Sequence, residues 1–148
     1  MSSEEKTTIT IQVKVNAPVD KTWECWTQPE HITGWNFASD DWHTPWAKSD
    51  LRPGGSFSSR MEARDGSMGF DFYGTFDEVV LHKKIASTLG DGRKVTVEFR
   101  PEESYTGVVE SFEAENVHSA ELQRNGWQAI LNNFKKYVEN SASAKITG

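Results

Sequence analysis

Between Phe57 and Ala114 the chain repeats one pattern: short runs with every second residue apolar, separated by tight-turn signals. Phe57, Ser59, Met61 and Ala63 alternate with Ser58, Arg60 and Glu62; Phe70, Phe72, Gly74 and Phe76 alternate with Asp71, Tyr73, Thr75 and Asp77. Ile85, Ser87 and Leu89 make a third set, Val95, Val97 and Phe99 a fourth, and a last run spans about Ser104 to Ala114. A period of two marks a strand with one apolar face. The turn signals "RPGG", "RDGS" and "GDGR" connect antiparallel neighbours, so the runs form a meander. Earlier, Ile9, Ile11, Val13 and Val15 alternate with Thr10, Gln12 and Lys14, which adds a strand from Thr8 to Val15.

Elsewhere the period is helical. Pro18 suits a helix start, and Val19, Trp23 and Trp26 recur at i, i+4 and i+7 as a short amphipathic helix. In "TQPE", Thr27 and Glu30 stand at capping-box spacing, which predicts a second short helix to about Trp35. The segment "GWNFASDDWHTPW" then reads as a tryptophan-rich loop. Near the C-terminus Leu122, Gly126, Trp127, Ile130, Phe134, Tyr137 and Val138 trace one helical face, with Lys135 and Lys136 near its C-terminal end, where cations suit the dipole. Gly126 is expected to permit a close backbone approach to the sheet or the short helices. One domain over 8–140 is expected, with disordered tails at 1–7 and 141–148.

These elements differ in width. About seven strands give a sheet roughly 30 Å across, while a helix with its side chains is only ~10–12 Å wide. One long helix cannot cover a flat apolar face of that breadth, so the sheet must curl around it. Six Trp, eight Phe and three Tyr supply the bulk for a core, although only 36% of residues are hydrophobic.

The charge excludes some partners. A net charge of −6 with no basic stripe argues against nucleic acid. No run is long enough for a transmembrane segment, "MSSEEKTT" lacks the pattern of a secretory signal, and Cys25 is the single cysteine, so a cytoplasmic chain without disulfides is expected. No cofactor or metal site is expected: Asp40, Asp41 and His43 come without HExxH or a Cys/His pair. His31, His82 and His118 are scattered, and Cys25 reads as a small buried residue.

The segments "PVDKTWECWTQPEHITGWN", "DLRPGGSF", "DGSMGFDFYGTF", "DGRKVTVEF" and "NGWQAILNNFKKYVE" occur in the order seen in the helix-grip superfamily of START-related and birch-pollen-allergen-like proteins (SRPBCC). Within it the chain resembles the mostly bacterial branch named after the activator of the ninety-kilodalton heat-shock chaperone ATPase. The resemblance covers about residues 8–140. It implies an α+β helix-grip fold: a strand, two short helices, six strands and a long helix gripped by the curved antiparallel sheet. It also implies a hydrophobic cavity between sheet and helix, of the kind that holds lipids, sterols, polyketides or plant phenolics, and a chaperone as a possible partner.

A small hydrophobic ligand is therefore the expected partner. Phe57, Met61, Phe70, Phe72, Val97, Phe99, Trp127, Ile130 and Phe134 are expected to line or border the pocket. Trp42 and Trp46 either rim its mouth or plug the gap between sheet and short helices. Trp35, Trp23 and Trp26 are expected in the core. Glu110 is the polar marker: with Val108 and Phe112 inward, period two puts its carboxyl on the apolar face. There it orients a ligand, serves as general acid or base in a cyclase or hydrolase type of enzyme, pairs with Arg60, Arg93 or Arg124, or is turned outward by a bulge. Ser59 and Ser87 share that face as hydrogen-bond donors to a ligand.

Overall fold

Each run of alternating residues forms a strand, and the turns between them leave consecutive strands paired. The computed structural model describes residues 7–147, with side chains through Ser141. The order is β1 (Thr8–Val15), α1 (Val19–Thr27), α2 (Pro29–Ile32), β2 (Trp42–Ser49), β3 (Ser56–Ala63), β4 (Gly69–Val80), β5 (Lys84–Leu89), β6 (Lys94–Pro101), β7 (Thr106–Glu113) and α3 (Ala120–Thr147). The seven strands make one antiparallel sheet ordered β1-β7-β6-β5-β4-β3-β2, curled into a half-barrel against α3. This is the α+β helix-grip architecture. The short helices carry the chain from one edge of the sheet to the other. Of the expected tails, residues 1–6 and 148 lie outside the described residues, as do the side chains of 142–147, while the helix assignment runs through Thr147.

α3 is tied to one edge. Arg124 Nη1 donates to the Thr10 carbonyl at 2.9 Å, Gln128 Nε2 to that of Gln12 at 3.4 Å, and Lys135 Nζ to that of Lys14 at 2.7 Å. Asn16 N–H donates to Glu139 Oε2 at 2.9 Å. Alternate carbonyls of a strand point to one side, so the helix satisfies the edge that β1 would otherwise expose. The lengths agree: Arg124 to Glu139 rises roughly 22 Å as helix, and Thr10 to Asn16 roughly 20 Å as strand. Beneath this seam Leu131, Phe134 and Val138 bury their side chains with Ile9, Ile11 and Val15.

Several local expectations need correction. Thr27 is not a cap: its hydroxyl donates back to the Trp23 carbonyl at 2.8 Å. α2 is a single turn with Pro29 at its start, so Trp35 lies beyond it and donates from Nε1 to the Cys25 carbonyl at 2.9 Å. The second half of the tryptophan-rich segment is strand β2 rather than loop, and Pro45 is tolerated there because β2 is an edge whose register slips between His43 and Trp46. On α3, Leu122 is exposed, and Leu131 fills the buried stripe instead.

Two glycines have opposite roles. At Gly74 a Cβ would come within 2.5 Å of the Thr88 carbonyl and 2.8 Å of the Phe57 ring, so a bare backbone lets β3, β4 and β5 close up in the curl. At Gly126 a Cβ would meet nothing within 4 Å, so the expected close approach does not exist. Gly126→Ala should therefore raise stability by about 0.5–1 kcal/mol, and Gly74→Ala should lower it by roughly 1–3 kcal/mol. Urea denaturation of both variants checks this; a destabilised Gly126→Ala would show that the helix does press on a neighbour there.

Candidate functional site

A seam along β1 leaves the far half of the inner face without a helix packed directly on it. A cavity of about 400 Å³ occupies that space. Its floor is the inner parity of β3 to β7, with Phe57 and Met61 on β3, Phe72 on β4, Val97 on β6 and Glu110 on β7. Trp127 and Ile130 form the roof. Trp127 stacks on Phe112 with ring centroids 3.9 Å apart and planes 9° apart, which holds its ring to the β7 side.

Near the short helices the wall is aromatic. Trp26, Ile32 and Trp35 face the cavity, and the Trp26 and Trp35 rings pack edge-on against Phe134 at 4.9 and 4.8 Å. Trp23 backs them through an edge contact of 5.1 Å with Phe99. Where α3 begins, the wall is polar: Arg93, Glu115 and Gln123. Gln123 accepts from the Glu115 N–H and donates to the carbonyls of Glu115 and His118, so its amide closes the β7–α3 connection. Hydrogen bonds from His118 and Val117 hold the Glu115 carboxyl down at about 2.

Of the residues expected at the pocket, Phe57, Met61, Phe70, Phe72, Val97, Glu110, Trp127 and Ile130 line it, and so do Ser59 and Ser87. Phe99 and Phe134 stand behind the wall as its aromatic backing. Trp42 and Trp46 are neither rim nor plug. Trp42 pairs across from Ala63 and touches Phe70 at 6.0 Å, at the end of the sheet. Trp46 pairs across from Arg60 on the outer face, 39% exposed, with the Lys48 ammonium 5.3 Å from its ring. A regular strand would put both on one face; the bulge at Thr44–Pro45 reverses the parity between them. Trp35 is buried in the core as expected and Trp26 packs against it, and both also face the cavity.

Glu110 does point inward. It faces Ile11 on β1 and Val97 on β6, and only 8% of it is exposed. None of the arginines reaches it: Arg60 bonds Glu62 and Asp71, Arg93 bonds Asp91, and Arg124 is committed to Thr10. Without a partner, burial alone pushes its carboxyl up to about 8. Among the described residues no group of His, Cys, Asp and Glu is arranged to hold a metal ion, and no helix is long and apolar enough to cross a membrane.

A family model described as "Activator of Hsp90 ATPase homolog 1-like protein" matches residues 16–139. The chain is similar to the AHSA1-like protein of Aeromonas hydrophila, with 43% identity over 92% of this chain and 94% of that one, and a TM-score of 0.87. A protein of Cytophaga hutchinsonii is 48% identical over 92% of this chain and 94% of its own, with a TM-score of 0.78. A protein of Nitrosomonas europaea, at 20% identity, 92% and 96% coverage and a TM-score of 0.78, shares the fold. No curated protein matches the chain.

The raised Glu110 carboxyl has a consequence for stability. Between the ordinary carboxylate range and about pH 8 the folded chain keeps a proton that the unfolded chain has lost. Its stability should therefore be full at acid pH and fall as pH rises through about 8. Glu110→Gln should remove that slope and gain on the parent by a few kcal/mol at alkaline pH. Denaturant midpoints of both proteins across this range test it, and parallel profiles would show the carboxyl to be solvated or paired.

Proposed function

The chain belongs to the family of activator of Hsp90 ATPase homolog 1-like proteins, and on that footing we propose that it binds a small hydrophobic molecule between its sheet and α3. The observation that carries this reading is the cavity. Its volume falls within the ~300–1,000 Å³ of small-molecule sites, and its walls combine large apolar faces with a few separated polar groups, as such sites do. Aromatic rings on the roof and at the α1–α2 wall offer flat faces to a flat guest.

A guest that binds only the folded chain raises its melting temperature, by about 2.7 kcal/mol of stabilisation at a hundredfold excess over the dissociation constant. Lipids and polyphenols at that excess should raise it and quench tryptophan emission, because Trp26, Trp35 and Trp127 line the site. Ile130→Trp, which projects a ring into the void, should abolish both effects in a chain that remains folded. Undiminished binding by that variant would place the guest elsewhere.

A second reading is a module that docks on a chaperone and stimulates its ATPase, the activity in the family's description. Exposed apolar residues at one end of the sheet favour it. Met68 and Phe70 at the β3–β4 turn and Val117 and Leu122 at the start of α3 are 64%, 48%, 83% and 57% exposed. Pairing of Glu62 with Gly69 and of Thr8 with Glu113 puts these segments at the same end. On this reading ATP turnover by the chaperone of the same organism rises severalfold with added protein, and Met68→Glu with Leu122→Glu abolishes the rise. No stimulation at saturating protein removes it.

A further inference from the structure

The cavity wall carries three polar side chains that bond to none of the described residues. Glu110, Ser59 and Ser87 are 8%, 6% and 7% exposed. No hydrogen bond or ion pair engages their side chains among the described residues, whereas the nearby Gln123 amide is fully committed. No buried side-chain polar atom in the described residues is both sealed off and unpaired, so these oxygens remain open to the cavity they line. With no partner in the described chain, their hydrogen-bonding capacity faces whatever the cavity holds.

Their placement is regular. They stand on β7, β5 and β3, alternate strands of the sheet. Glu110 shares a cross-strand row with Val97 and Ile85, and Ser87 lies in the next row with Val95. Two strand spacings and one two-residue step separate Glu110 from Ser87 by roughly 12 Å on a flat sheet, and inward curl shortens that. Apolar side chains fill the interval. The charged groups on the same walls are engaged elsewhere: Arg93 with Asp91, Glu115 with His118, and Lys48 over the Trp46 ring. On the elements around Glu110, β1 and β6 present Ile11 and Val97, and Arg124, Lys135 and Glu139 of α3 are turned to the β1 seam.

We propose that the guest is an uncharged molecule with an apolar frame and a hydroxyl or carbonyl oxygen at each of two opposite ends, one end bonded by the Glu110 carboxyl and the other by the Ser87 hydroxyl, with Ser59 farther along the same wall. This rests on the cavity being a binding site. A carboxylic acid and a hydroxyl each donate and accept, which suits a hydroxyl or a carbonyl. An anion would find no uncommitted cation on the described walls and would be opposed by desolvation. Burial keeps the Glu110 proton in place at neutral pH.

Four probes on one frame test this by isothermal titration: biphenyl, 4-hydroxybiphenyl, 4,4′-dihydroxybiphenyl and biphenyl-4,4′-dicarboxylate. Affinity should rise about tenfold with each hydroxyl, and the dicarboxylate should bind least. Glu110→Leu should erase one increment, so that the dihydroxy and monohydroxy probes bind alike; Ser87→Ala should weaken the dihydroxy probe more than it weakens biphenyl, shrinking the gap between them. Binding of the dihydroxy probe should weaken above about pH 8 in the parent and stay level in Glu110→Gln. Equal affinities for biphenyl and its diol, both lost in Ile130→Trp, would overturn the polar pairing and leave the cavity reading intact. Binding that survives Ile130→Trp, or no binding by any probe, would overturn both.

Discussion

The structure depends on where α3 is fastened. Side chains from four turns of the helix reach the same edge of β1, and the matched rise of helix and strand lets the seam continue from Arg124 to Glu139. Each exposed hydrogen bond is modest, of order 0.5–1.5 kcal/mol. Their combined effect is positional. A helix held over β1 cannot also sit above the middle of a seven-stranded sheet, and its width reaches only the strands next to the seam. Trp127 on Phe112 marks how far its packing extends. Beyond that line the sheet has to supply its own cover by curling, and the bare backbone at Gly74 is where β4 lies close enough to its neighbours for that.

Curling alone would leave a trough open at both ends. One end is closed by rings: Trp26 and Trp35 in contact with each other and with Phe134, with Phe99 and Trp23 behind. The other is bordered by a hydrogen-bonded wall, with Gln123 stitched to the Glu115–His118 connection and Phe70 half exposed beside it. α2 is joined to α3 by a 2.7 Å bond between His31 and Tyr137, which fixes the aromatic end to the same helix as the polar end. One rigid element therefore sets the roof and both ends, and the space beneath follows from its placement.

How much of this was legible depends on parity. Strands β3 to β7 keep a period of two where they face the cavity, with a slip in β4 only between Phe76 and Glu78, so the inward residues are legible, including Glu110, one charge in an apolar row. Parity failed where the backbone inserts a residue. Trp42 and Trp46 look equivalent in sequence, yet the bulge at Pro45 sends one to the sheet's end and the other to its outer face. A further ambiguity has a different cause: a ring beside a void and a ring one layer behind it have the same apolar signature, so the sequence does not separate Trp26 and Trp35, which belong to the core packing and also face the cavity, from Phe134 behind them. The α3–β1 seam was also hidden, since Arg124, Gln128 and Lys135 read as ordinary solvated helix residues.

The inner wall can be compared with one built for packing alone. At the positions of Ser59, Ser87 and Glu110, valine or leucine would have the same parity and strand preference, and would add apolar burial at about 25 cal/mol per Å². Each of the three instead forgoes that apolar burial and keeps its oxygens open to the cavity, where water or a guest can reach them. Polar side chains on three alternate strands, with no partner among the described residues, add nothing to the packing of the wall. They make sense if the wall is completed by something other than the chain, and the same three groups then become the ones that select what fills it.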